Sequence, residues 1–101
     1  MYICLSIRSN AGKKALVFVA NGSEDIEVVA TVDVLRRGGV DVKLCSVEQP
    51  DQKSLTCANQ VQIIPDLHID DVQGQKFDAV IIPGGKYIIP VKSYLFSSIS
   101  R

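Results

Sequence analysis

Two stretches limit what this chain can fold into. Ala15-Leu-Val-Phe-Val-Ala20 is an unbroken apolar run that empties into Asn21-Gly22-Ser23-Glu24, and Phe77–Ile82 empties into Pro83-Gly84-Gly85. An apolar run without polar alternation suits a strand covered on both faces, as in a parallel sheet. Open α/β sheets place their sites outside the carboxyl ends of such strands. The expectation is therefore an α/β fold with its polar chemistry at these two strand ends.

The residues between them fit that scheme. Asn21-Gly22 makes a turn, Ser23 has the hydroxyl of a helix N-cap, and Glu24, Asp25 and Glu27 suit the positive end of a helix dipole. The spacing predicts a helix as far as Arg37, where Arg36-Arg37-Gly38-Gly39 puts cations in the last turn and glycine beyond it. Val40–Val47 reads as the next strand, so residues 15–47 form a β-α-β unit with parallel strands and a right-handed crossover. Short extended pieces around Leu55–Cys57 and Val61–Ile64 flank a turn at Asn59-Gln60. Pro65-Asp66 breaks the chain, and Ile69–Gln73 reads as a short helical turn. From Lys86 to Arg101 no regular period holds, and Pro90 interrupts the middle. Phe77–Ile82 thus lacks enough covering helices, and an exposed patch and an open pairing edge are expected there.

At 101 residues the chain is at most one small domain. Eleven basic residues balance eleven acidic ones, which supplies no basic face for nucleic acid. No apolar run approaches the length of a membrane span. Residues 1–12 read as a plain N-terminal extension, with a faint likeness to a mitochondrial presequence. Cys4, Cys45 and Cys57 are odd in number and lack C-x-x-C spacing, which points to a reducing, intracellular compartment rather than a disulfide framework or zinc site.

Several residues are candidates for chemistry. Glu27 is a carboxylate at a strand–helix junction, able to exchange a proton with a nucleophile or simply to favour the helix start. Gly84-Gly85 frees backbone amides to face an oxyanion, or makes a tight turn after Pro83. Neither turn is a dinucleotide or Walker fingerprint. Cys45 reads as core, and Cys57 as a half-buried spectator or a redox-sensitive surface thiol. His68, the single histidine, lies among Asp66, Asp70 and Asp71 in what reads as a solvated acidic loop, with no known metal-ligand spacing.

Lys14–Glu27, Val32–Val42, Cys57 through Pro65-Asp66, and Phe77–Gly85, taken in order, resemble the amino-terminal half of the ThiJ/PfpI superfamily, nearest its parkinsonism-associated deglycase branch. The resemblance covers residues 13–85, leaving 86–101 as a divergent tail. It implies a flavodoxin-like, mostly parallel open sheet of the class I glutamine amidotransferase type, present as its first half. By resemblance, Glu27 matches the glutamate that handles the proton of the reactive cysteine, and Gly84 and Gly85 match the lining of the oxyanion pocket. Cys57 matches a secondary oxidation site near the dimer interface, to which the helix Asp25–Arg37 contributes.

The resemblance also implies cofactor-free thiol chemistry on α-oxoaldehydes such as methylglyoxal and on early glycation adducts, with oxidative-stress and chaperone-like roles, in a homodimer of the cytoplasm, nucleus or mitochondrion. The family's nucleophilic cysteine and its histidine have no counterpart in this sequence. The expectation is a truncated, inactive member, without cofactor or metal. The alternatives are a dimerisation or chaperone-like binding module that pairs with itself or a full-length subunit, and a metal- or nucleotide-binding half-domain.

Overall fold

The computed structural model describes residues 2–5 and 12–86. The tail expected from Lys86 onward lies, past that residue, outside them. Strand β1 (Tyr2–Leu5) precedes β2 (Lys14–Val19), which enters helix α1 (Asp25–Arg37) and returns as β3 (Asp41–Ser46). A small antiparallel hairpin, β4 (Leu55–Thr56) and β5 (Gln62–Ile63), stands apart from the main sheet. β6 (Leu67–His68), a 3₁₀ turn (Ile69–Val72) and β7 (Ala79–Ile82) follow.

The main sheet has the order β1-β7-β2-β3-β6. β3 and β7 flank β2 in parallel, with Val17 opposite both Leu44 and Ile81, and β6 adds to β3 in parallel. The fold is therefore α/β with a mostly parallel sheet of flavodoxin-like kind. The first parallel strand lies between the second and a later one, so a topological switch point falls between the carboxyl ends of β2 and β7.

β2 alternates between two buried clusters, which is why its sequence shows no polar alternation. Ala15, Val17 and Val19 pack on one face with Val28 of α1, Val42, Leu44, Leu55 and Ile81. Leu16 and Phe18 pack on the other with Cys45, Ile69 and Ile82, and with the partly buried Leu67, Val72 and Phe77.

Three expectations are corrected. Ser23 does not cap the helix: Glu24 holds the N-cap position without a side-chain cap bond, while Ser23 Oγ accepts the Ala20 N–H at 2.9 Å. The hydroxyl closes the strand-to-helix turn from inside. His68 is not in a solvated loop but in β6; its Nε2 lies 2.6 Å from the Glu48 carbonyl, and its Nδ1 accepts the Asp70 N–H at 3.1 Å. The β7 edge is not open either. β1 lies along it antiparallel, Tyr2 opposite Ile82 and Leu5 opposite Ala79, and Ile81 and Ile82 are buried. Local pattern could not reveal this pairing, because it joins segments far apart in the chain.

Candidate functional site

The switch point is closed by three loops laced through their backbones. The Glu24 N–H donates to the Gly84 carbonyl at 2.8 Å and the Lys86 N–H to the Gly22 carbonyl at 3.0 Å, pairing Ser23 with Gly85 as an antiparallel bridge. The hairpin joins from the other side: Gly22 N–H donates to the Thr56 carbonyl at 2.9 Å and Ala58 N–H to the Ser23 carbonyl at 2.8 Å. Gly85 has φ +150°, and a Cβ there would lie 2.5 Å from the Gly22 carbonyl oxygen and 2.8 Å from Ser23 Cα. Only glycine lets the β7 turn approach the β2 turn this closely.

Into this junction α1 projects Glu27 from its first turn. Its Oε2 accepts the Gly84 N–H at 3.0 Å. A Cβ on Gly84 would sit 2.6 Å from that same oxygen, so the glycine makes room for the carboxylate. Glu27 and Gly84-Gly85, separate candidates in the sequence, are thus brought together. The Gly84 amide already serves Glu27 in this arrangement. A half-buried carboxylate fixed at a strand end can accept or return a proton.

Asp25 is the residue sequence reasoning missed. It is 7% exposed, and its carboxylate accepts the Asn59 N–H at 2.8 Å, the Asn59 side-chain amide at 3.2 Å and the Val61 N–H at 3.1 Å. Burial pushes the Asp25 carboxyl up, but the backbone N–H groups of Asn59, Val61 and Asp25 itself, with the Asn59 amide, hold it below the ordinary carboxylate value. The available signal was the Asn59-Gln60 turn, whose amides need acceptors; Gln60 sits at φ 74°.

Cys57 lies under this hairpin turn and is 2% exposed, so it is not a surface thiol. Burial raises its pKa, and the charges of Asp25 and Glu24 raise it further. Cys45 is fully buried in β3, as its apolar setting implied, and burial with the Asp71 charge pushes it up to about 12. Arg36, read as helix C-terminal charge, donates to the Val42 carbonyl and to Asp66 Oδ2, both at 3.0 Å. It ties the end of α1 to the sheet.

Comparison with known proteins agrees with this architecture. The DJ-1/PfpI family profile matches residues 13–90. The chain is 40% identical over 76 residues to the Parkinson disease protein 7 homolog of Danio rerio, covering 74% of this chain and 39% of the relative. It is 41% identical over 76 residues to the glutathione-independent glyoxalase DJR-1.2 of Caenorhabditis elegans, with the same coverages of 74% and 39%. The crystal structure of Drosophila melanogaster DJ-1beta superposes with a TM-score of 0.69 at 39% identity, over 73% of this chain and 39% of that one. The chain therefore spans about two fifths of the length of these relatives. A carboxylate on the first turn of α1, held at a Pro-Gly-Gly turn across the switch point, occurs here within a sequence that matches one family over most of its length: the chain belongs to the DJ-1/PfpI family.

Proposed function

We propose that this chain carries the proton-handling and oxyanion part of a cofactor-free thiol site for small α-oxoaldehydes such as methylglyoxal and for early glycation adducts, in protection against oxidative stress. The observation behind this reading is the Glu27 carboxylate on the Gly84 amide at 3.0 Å, at the carboxyl ends of two parallel strands. The name of the nematode relative, a glutathione-independent glyoxalase, supports the substrate class. In such chemistry a thiolate adds to the aldehyde carbon. A neighbouring base takes the thiol proton, and backbone amides balance the charge that develops on the carbonyl oxygen. Glu27 fits the base, and the Gly84-Gly85 turn takes the oxyanion side once the Gly84 amide, bonded to Glu27 in this arrangement, is released by it.

The proposal includes that these 101 residues do not turn over substrate alone. Cys45 and Cys57 are buried, and burial keeps both thiols protonated. Cys45, pushed up to about 12, is protonated at neutral pH. Cys4 lies in β1, opposite Val80 rather than at the glycine turn. Purified chain incubated with methylglyoxal is expected to consume none above the buffer rate. Saturable turnover would overturn this reading.

A second reading, a pairing module, is favoured by a separate observation. Ile26, Val29 and Val34 on the outward side of α1, with Val61 and Ile64 beside the hairpin, are large apolar side chains left exposed. We propose that this surface pairs with a second copy or with a full-length family subunit. Sedimentation at rising concentration should show reversible association in the micromolar range, and a strictly monomeric chain would refute it. The free, buried thiols support placement in a reducing compartment, cytoplasm first, then nucleus or mitochondrion. Localisation of the tagged full chain to the secretory pathway would refute that placement.

A further inference from the structure

The sheet edge beyond β7 is closed by an element unlike its neighbours. β1 runs antiparallel in a sheet whose other strands are parallel, and among the described residues β7 is its one neighbour in the strand order. β7 lies between β1 and β2 in the sheet, although β1 and β2 are consecutive strands in the chain. β1 can therefore settle only on an edge that much later residues have already built. Removing it breaks one ladder of paired residues and leaves β7 bonded to β2 as before. Both sides of that ladder are uncharged and largely apolar, Tyr-Ile-Cys-Leu against Ala-Val-Ile-Ile. Each side has the composition of a good strand. An edge strand with one neighbour and a connecting segment is the arrangement by which identical chains exchange elements.

We propose that β1 is an exchangeable strand, which leaves the β7 edge of its own chain and docks in the same antiparallel register on Ala79–Ile82 of a second copy. Every backbone bond lost in one copy is remade in the other. The balance between closed and exchanged forms is then set by the connecting segment and by concentration rather than by new contacts. The β7 edge is in this way a binding site for an extended, uncharged apolar segment, separate from the outward side of α1.

The register supplies the test. Cys4 lies opposite Val80. Opposed residues in an antiparallel pair have Cα atoms about 4.5–5.5 Å apart, within the span of a disulfide. In the full chain carrying Val80→Cys, oxidised glutathione captures whichever chain supplies the strand. Dilute protein is expected to give a locked monomer. Between about 1 and 100 µM the disulfide-linked dimer on a non-reducing denaturing gel should rise at least tenfold. Cys4→Ser in the same background should abolish it. Non-covalent pairing through α1 leaves no trace on such a gel, so the two modes of association are told apart. A linked fraction independent of concentration, or one that survives Cys4→Ser, overturns the proposal.

A second measurement uses the unmodified full chain and a fluorescent peptide of residues 1–8. Saturable binding is expected, and loss of binding when the peptide carries Ile3→Pro and Cys4→Pro, which remove ladder donors. Equal binding of the two peptides, or none of the first, also overturns it.

Discussion

Gly84 and Gly85 are neighbours with different obligations. A methyl group on Gly84 meets the far end of the Glu27 side chain, which can swing away, whereas a methyl on Gly85 meets the backbone of Gly22 and Ser23, which cannot. Gly84→Ala is accordingly expected to cost about 1–3 kcal/mol and to release Glu27 from the turn. Gly85→Ala adds the penalty of its positive φ and should cost about 3 kcal/mol or more, read as the shift in urea midpoint. An equal cost for the two would mean that the loops are not laced as described. Glu27 itself separates by chemistry: Glu27→Gln keeps an oxygen for the Gly84 N–H and should cost under about 1 kcal/mol. Glu27→Ala strands that donor and should cost about 1–3 kcal/mol, towards the low end because Gly84 is only half-buried. The two buried thiols should behave alike. Under native conditions at pH 8, iodoacetamide should leave Cys45 and Cys57 unlabelled while urea-unfolded chain takes it up at both, as intact-mass and peptide analysis would show. Native labelling of Cys57 at the unfolded rate would restore it as a redox sensor.

At the scale of elements, the turn of the hairpin β4–β5 is tied to the first turn of α1 by one carboxylate. Asp25 accepts two backbone N–H groups from the turn between those strands, so the start of α1 and the hairpin are one unit. Its pKa is lower in the fold than in the unfolded chain. The stabilisation is therefore complete above the unfolded value of about 4 and is lost as pH falls through the lower folded value. Amide exchange at Asn59 and Val61 should accelerate as the solution is acidified through that window, ahead of exchange in β2 and β3. Asp25→Asn should abolish the acid step; persistence of the step in that variant would assign it to another carboxylate. This contact also shows where sequence reading stops. The β-α-β unit, the hairpin, the 3₁₀ turn and the apolar strand ahead of Gly84 were legible, because each is dictated by local period, turn residues or caps. Glu27 and the glycine turn were legible as candidates, since strand ends announce themselves. What escaped was pairing over long separations: Asp25 with Asn59, β1 with β7, and the two-residue β6, too short for any period. The Ser23 hydroxyl was misread for a related reason. Two acceptor roles were open to it, and the choice of the Ala20 amide over a helix amide was made by packing of the turn.

For the whole molecule, the question is which surface remains to be covered. The sheet is buried on both faces around β2, and the β7 edge is occupied by β1. The large apolar side chains left in solvent among the described residues gather on α1 and beside the hairpin: Ile26 is 74% exposed, Val34 64% and Ile64 78%. Exposed apolar residues are ordinary singly, but this group lies on elements that Asp25 holds together. A surface of this kind gains by association without any change in the fold, since its residues contribute little to the monomer core. Val34→Lys and Ile64→Lys should therefore leave the urea midpoint within about 0.5 kcal/mol of the parent. Each should weaken self-association roughly tenfold, about 1.4 kcal/mol, if it lies near the centre of the contact. Sedimentation equilibrium of the parent and both variants, run beside urea melts at one dilute concentration, separates the two effects. Loss of stability with unchanged association would place these residues in the fold rather than at an interface. Unchanged values of both would leave the outward side of α1 as bare surface and refute the pairing reading.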